Sequence, residues 1–339
     1  LHIEKAVMIK NRKVTLKQVA AAANLAVPTV SQILNGRRNY CSGEQIARVR
    51  KLADEMGYQP NIGYKIMVGE KTRTVAILFS QERTYHTEEN RNLTIRLISE
   101  LEKTGESVYA VTMGNSREEN QQRIRDLINR GCSAFVILGS PVGEESLIRL
   151  IEDNGIDYVS ANNGYSRNDL RFDYNAVFLK YAEDILKYGA RRVAYVMVDK
   201  YFQMYCAESA AFLKENGTES LLYSIEDCDR QPFDCSDLVF EQGYHAVNHA
   251  LAQGEKAECW IFANDYRALG GMKALQEHGR LEKSIRLYGM NNTRAGRFSI
   301  FPINTSDVML EEQVSWLLQH LKNTAPEHKI LIPEILIRS

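Results

Sequence analysis

Nowhere do the 339 residues run together the ~18 apolar side chains that a membrane-spanning helix needs, so no membrane partner is expected. The opening segment LHIEKAVMIKNRKVTLKQ also lacks the apolar block of a secretory signal, and a cytoplasmic location is expected. Six cysteines (Cys41, Cys132, Cys206, Cys228, Cys235 and Cys259) are scattered without a CxxC pair. That argues against a disulfide framework and reads as buried thiols in a reducing compartment. No GxSxG elbow, P-loop or GxGxxG fingerprint is present, so no catalytic residue and no cofactor is expected. His245 and His249 stand four apart on a predicted helix, but Ala246 occupies the place of a zincin's glutamate. An exposed helix face is the better reading, and no metal is expected.

Net charge is nearly absent as well, at −1, but its distribution is uneven. Residues 1–72 carry twelve Lys/Arg against five Asp/Glu, a surplus of seven positive charges, which leaves the remainder at −8. A basic head on an acidic body fits a polyanion-binding module joined to something else. The length also exceeds one ordinary core, at about 100–200 residues per domain.

The head reads as three short helices. Thr15 and Gln18 form a capping box ahead of Leu16, Val19, Ala20 and Ala23, and Asn24 tolerates the left-handed turn that ends the first helix. Pro28 suits the first turn of a second helix, where a missing N–H costs nothing, and Val30, Ile33 and Leu34 form its apolar stripe. Ser42 with Gln45 opens a third helix through Ile46, Val49, Leu52, Ala53 and Met56, closed by Gly57. Two helices and a tight turn outline a helix-turn-helix whose second helix would enter a major groove.

The run VTLKQVAAAANLAVPTVSQILNG, then GYQPN, resembles the DNA-binding head of the LacI/GalR family. Thr29-Val30-Ser31, Leu34-Asn35, Gly57-Tyr58 and Pro60-Asn61 match its motifs. Three positions depart: Gln18 replaces an aspartate, Ala26 a serine cap, and Gln32 an arginine. The resemblance implies DNA contacts from Thr15, Val27, Pro28, Thr29, Ser31, Gln32, Asn35 and Tyr58. Gln32 favours adenine where arginine favours guanine, and Val27 and Pro28 offer only apolar contact, as to a thymine methyl. Thr29, Ser31 and Asn35 suit phosphates. It also implies a hinge over 61–71 whose Met67 wedges the minor groove.

Beyond residue 72, apolar strands alternate with amphipathic helices, from Val75–Phe79 through Ala134–Leu138 and Cys259–Phe262 to Ile285–Tyr288. Such alternation predicts doubly wound parallel sheets, divided over two lobes. DILKYGARRVAYV, FANDYRALGGMKALQEHG, IRLYGMNN and FPINTS resemble the effector-binding body of the same family, which is similar to type I periplasmic binding proteins. The expected fold is thus an all-α helix-turn-helix head (13–60), a hinge (61–71) and an α/β body (72–339). Lobe one spans about 72–171 plus 303–330, and lobe two about 172–302. Ligands of such sheets sit beyond the carboxyl ends of strands, which brings forward Tyr85, Ser140, Asn162, Tyr205, Asp265 and Asn291. Asp265 matches the family's ligand-binding aspartate, and Tyr205 stands where relatives use arginine. Either the effector differs or Arg83, Arg267 or Arg294 substitutes.

The resemblance implies a repressor with three partners: a pseudo-palindromic double-stranded operator, a small effector such as a sugar or sugar acid, and a second copy, as homodimer or tetramer. A solute-binding protein without DNA function is the alternative, and the basic head speaks against it.

Overall fold

The computed structural model describes residues 14–34, 41–59, 72–80, 88–161, 168–197, 200–224, 235–321 and 327–339. Asn35, Met67, Arg83, Tyr85 and Asn162 lie outside these residues, as does the hinge over 61–71. The chain divides into two compact units, 1–72 and 73–339.

The first unit holds helices α1 (Leu16–Ala23), α2 (Val27–Leu34) and α3 (Gly43–Glu55). Thr15 opens α1 with the expected reciprocal box: its hydroxyl accepts from the Gln18 amide, and the Gln18 side chain accepts from the Thr15 amide at 2.8 Å. Asn24 then turns the chain at φ 52°, ψ 46°. Val19, Ala20 and Ala23 of α1 pack with Val30 and Ile33 of α2 and Val49 and Ala53 of α3. The Arg48 guanidinium donates to the Ala23 carbonyl at 2.6 Å, which ties α3 to the end of α1.

The second unit contains two six-stranded sheets. The first is built from β1 (Thr74–Phe79), β2 (Ser107–Thr112), β3 (Ala134–Leu138), β4 (Asp157–Ala161), β5 (Asn168–Phe172) and β11 (Glu327–Leu331). Its order is β11-β5-β4-β3-β1-β2, all parallel. Helices α4 (Glu88–Lys103), α5 (Arg117–Asn129), α6 (Glu144–Asp153) and α12 (Leu310–His320) cover it. Alternation along β1 decides the faces: Val75, Ile77 and Phe79 join a core with Leu93, Leu97 and Leu317, while Ala76 and Leu78 join one with Ile124 and Leu147.

The second sheet takes β6 (Arg192–Met197), β7 (Glu219–Ser224), β8 (Cys259–Phe262), β9 (Arg286–Tyr288), β10 (Ile303–Ser306) and β12 (Ile335–Leu336). Its order is β12-β10-β9-β8-β6-β7, parallel except for antiparallel β12. Helices α7 (Tyr174–Tyr188), α8 (Lys200–Glu215), α9 (Cys235–Ala252) and α10 (Asp265–Glu277), with the short α11 (Arg294–Arg297), complete this lobe. Cys132, Cys206 and Cys259 are buried, and burial pushes their thiols up to about 11, 12 and 12.

The expected lobe boundary needs a correction at 303–306. That segment is not part of the first lobe; it runs beside β9 in the second sheet, because Ile303 and Asn304 pair with Leu287 and Tyr288. The chain therefore crosses between lobes three times: after β5, after β10 and after β11. The crossings are tied together, since the Asp173 amide donates to the Leu331 carbonyl at 2.8 Å and the Asp307 amide to the Glu334 carbonyl at 2.9 Å.

Candidate DNA-reading and effector sites

In the head, Val30 and Ile33 turn inward, which leaves Pro28 and Gln32 exposed one helical turn apart. Val27, Thr29 and Ser31 are half-buried beside them. Ala26, which precedes α2, has no side-chain acceptor, and its carbonyl accepts from the Val30 amide at 3.1 Å. The exposed face of α2 thus offers one long amide, one pyrrolidine ring and short polar groups. Thr15 is exposed, but its hydroxyl is bound to Gln18, donating to Oε1 at 2.9 Å. Tyr58 packs against the head's core, and burial raises its phenol pKa.

In the body, Asp265 opens α10 behind Asn264, whose side chain caps the helix by accepting from the Arg267 amide at 2.9 Å. Asp265, expected to accept bonds from an effector, is surrounded by the protein's own donors. It is 0 % exposed. Its Oδ2 accepts from the Thr293 amide at 2.7 Å and its Oδ1 from the Thr305 hydroxyl at 2.6 Å. Gly289 and Gly296 press on the same carboxylate so closely that a Cβ on either would collide with it. Burial, the largest influence, pushes the carboxyl up to about 6, against the pull of Thr305 and Thr293. Through these contacts Asp265 pins β10 and α11 to the head of α10.

What it positions is the loop after β9. Asn291 sits there at φ 83° and Asn292 at φ 44°, a left-handed pair that asparagine tolerates better than most residues. The Asn292 amide donates to the Thr305 hydroxyl at 3.1 Å. Asn291 reaches across to the other lobe, donating from Nδ2 to Oε1 of Glu89 at 2.9 Å. Next to it, Glu88 accepts from the Tyr266 hydroxyl at 2.7 Å and from the Arg294 amide at 3.1 and 3.3 Å. Burial and Glu88 together raise the Tyr266 phenol.

Tyr205 lies half-buried on α8, edge-on to Tyr174 at 5.3 Å, packed against the core of the second lobe. Ser140 is exposed on the loop after β3. Close by, Glu144 is 6 % exposed, and burial pushes its carboxyl up to about 7 against a partial offset from a side-chain hydrogen bond with Ser140. Arg267 donates to Gln242 at 2.8 Å. His245 and His249 lie on the exposed face of α9. Among the described residues, no three His, Cys, Asp or Glu side chains are grouped to hold a metal. Nor is any helix among them long and apolar enough to cross a membrane.

Residues 15–61 match the profile of "Bacterial regulatory proteins, lacI family". The chain is 20 % identical over 314 residues to the HTH-type transcriptional regulator AscG of Escherichia coli K12, covering 91 % of this chain and 90 % of that one. Residues 15–61 thus carry a lacI-family head, and nearly the whole chain is similar to regulators of the LacI/GalR family. Its relatives also include the catabolite control protein A of Priestia megaterium, 23 % identical over 295 residues and 83 % of each chain. Among solved structures, a lac repressor dimer bound to operator and the anti-inducer ONPF has the same fold: TM-score 0.78, 19 % identity, 96 % of this chain and 98 % of that one covered. The match places the head in a class of DNA readers, and the body shares the two-lobed fold of the lac repressor. Glu88 and Glu89 escaped the sequence reading because the stretch 80–95 matches the LacI/GalR pattern weakly, and Tyr266 because its neighbour Asp265 was the matched position. The available signal was an acidic pair in the first turn of the helix that follows the first strand.

Proposed function

We propose that the chain is a sequence-specific DNA-binding transcriptional repressor whose operator affinity is switched by a small effector at the junction of the two body lobes. The observation that carries this is the pairing of an exposed recognition helix on a basic head with a two-lobed body joined by Glu88 and Glu89. Pro28 and Gln32 of α2 read bases; Thr29, Ser31 and Asn35 hold phosphates; Met67 wedges the minor groove between two hinges. Phosphate contacts supply affinity and base contacts supply choice. One head makes too few contacts, so two copies act together on a pseudo-palindrome.

The second copy covers exposed apolar side chains such as Ile95 and Ile300, which are 64 % and 91 % exposed in the single chain. Exposed apolar side chains of this size mark partner surfaces when they adjoin. The effector belongs to the sugar-related class bound by relatives such as the cellobiose-bound regulator CelR. Its binding shifts the lobes only as far as it prefers one arrangement over the other.

The test is fluorescence anisotropy on DNA carrying a site selected by the full-length chain, titrated against sugars and sugar acids. A shift in operator affinity of ~5–150-fold with one compound is expected. Tight operator binding that no compound alters would leave a DNA reader without an effector switch.

A further inference from the structure

Arg338 and Ser339, just past β12, are fastened to the second sheet by one buried side chain. Asn304 of β10 is 0 % exposed. Its Oδ1 accepts from the Arg338 amide at 2.7 Å and the Ser339 amide at 3.1 Å, and its Nδ2 donates to the Ser339 hydroxyl at 2.8 Å. A buried amide must be satisfied at both ends, so this one fixes where the segment lies. The half-buried Arg338 guanidinium then forks. Nη1 donates to the Ile303 carbonyl at 3.1 Å, and Nη2 donates to Oδ1 of Asn292 at 2.6 Å.

Asn292 is the second of the two left-handed residues after β9. The first is Asn291, whose Nδ2 meets Glu89 of the other lobe. Residues other than glycine persist in that conformation only where their surroundings over-determine it. Asn292 is held from two directions: its amide donates to the Thr305 hydroxyl, and its side chain accepts from Arg338. The Arg338 charge also works against the burial that pushes the Asp265 carboxyl up to about 6. That carboxylate binds Thr305 and Thr293, on either side of the same loop. Arg338 follows closely on the third crossing between the lobes, where Glu334 accepts from the Asp307 amide.

We propose that Arg338 is a positioning residue of the lobe junction. Its fork holds Asn292, and through it Asn291, in the conformation that reaches Glu89. The segment past the third crossing thereby sets how the two lobes meet. A guanidinium suits the task because its rigid, planar fork reaches two acceptors at once, one fixed in a strand and one on the loop. Without the fork the asparagine pair loosens and the Glu89 contact weakens with it. This rests on the reading of the body as a switch for operator affinity, and it names a residue that transmits the state of the lobes.

Hydrogen exchange on the full-length chain, read residue by residue by mass spectrometry with electron-transfer fragmentation, tests the positioning. The Asn292 and Thr293 amides, donors to Thr305 and Asp265, are the reporters. The Gly289 amide, donor to the Asn304 carbonyl at 2.7 Å, is the internal control. Arg338→Gln should speed the reporters by about tenfold, the loss of one charged hydrogen bond, and leave Gly289 unchanged. Asn292→Gly removes the acceptor while its backbone accepts the left-handed turn, and it should speed Thr293 alike even if Arg338→Gln misfolds.

The link to Glu89 is tested by a double-mutant cycle of Arg338→Gln with Glu89→Gln. Its readout is fluorescence anisotropy on DNA selected by the full-length chain. Each change should move operator affinity in the same direction, and the pair no further than the larger single effect, because both cut one path. Independent effects would multiply instead. Reporters at the parental rate, operator affinity that neither change moves, or single effects that multiply would each overturn the proposal. A parent chain that selects no DNA sequence would overturn the repressor reading, while the exchange result still decides the role of Arg338.

Discussion

The Thr305 hydroxyl donates to Oδ1 of Asp265 at 2.6 Å, joining a strand of the second sheet to the first turn of α10. With the Thr293 amide on Oδ2, both carboxylate oxygens are engaged and the residue has no exposure. Asp265→Ala would strand two donors in a dry site, and an unpaired buried group costs ~1–3 kcal/mol. Chemical denaturation should show a loss of about 2–4 kcal/mol for Asp265→Ala and a smaller loss for Asp265→Asn, which keeps one acceptor. A fully stable Asp265→Ala variant that has lost only its effector response would restore a ligand-contact role.

Glu144 should make the body sensitive to pH. Burial pushes its carboxyl from 4.5 up to about 7, so the folded chain holds a proton that the unfolded chain releases earlier. Its contribution to stability is full below about 4.5 and is lost as pH rises through 7. The difference amounts to about 3 kcal/mol. Glu144→Gln should flatten the pH dependence of Tm and raise Tm at pH 8. An unchanged profile between pH 5 and 8 would mean that solvent reaches the group.

Thr15→Ala separates capping from DNA contact. The hydroxyl both accepts from and donates to Gln18, and losing such a cap costs ~1 kcal/mol. Thermal melting of the full chain should register that loss in the head. If DNA affinity falls while head stability does not, the hydroxyl belongs to the phosphate contacts.

Ile300→Glu should dissociate the homodimer in sedimentation equilibrium, because it places a charge on an apolar side chain proposed to be covered by the second copy. Subunit association unchanged within twofold would move the interface elsewhere.

Legibility in the sequence followed periodicity. The helices of the head were plain because caps and stripe agreed: Thr15 with Gln18, Asn24 at the turn, Val30 with Ile33 inside. Buried strands such as Phe135–Leu138 stood out as unbroken apolar runs. By contrast, β5 (NDLRF) carries Asp169 and Arg171, and β11 (EHKIL) has four exposed residues, so neither shows an apolar run. Their place was settled by pairing with each other, which no local pattern encodes. For Asp265, residue type and position were legible, but not that Thr293 and Thr305 close over it from 28 and 40 residues away. The Glu88 contact spans 178 residues to Tyr266, a distance at which only the folded topology brings partners together.

Gln32 carries the account of specificity, since it is the long polar side chain on the exposed face of α2. Gln32→Ala should cost ~1–3 kcal/mol of discrimination at one base pair per half-site, read as a relaxed preference at that position alone.

The central claim, that this chain reads DNA by sequence as a symmetric pair, is tested most directly by selection from random double-stranded DNA with the full-length protein. The expected result is enrichment of a pseudo-palindrome whose half-sites change at one position in Gln32→Ala. Retention of DNA without any enriched sequence, or an enriched site that the variant leaves identical, would contradict it.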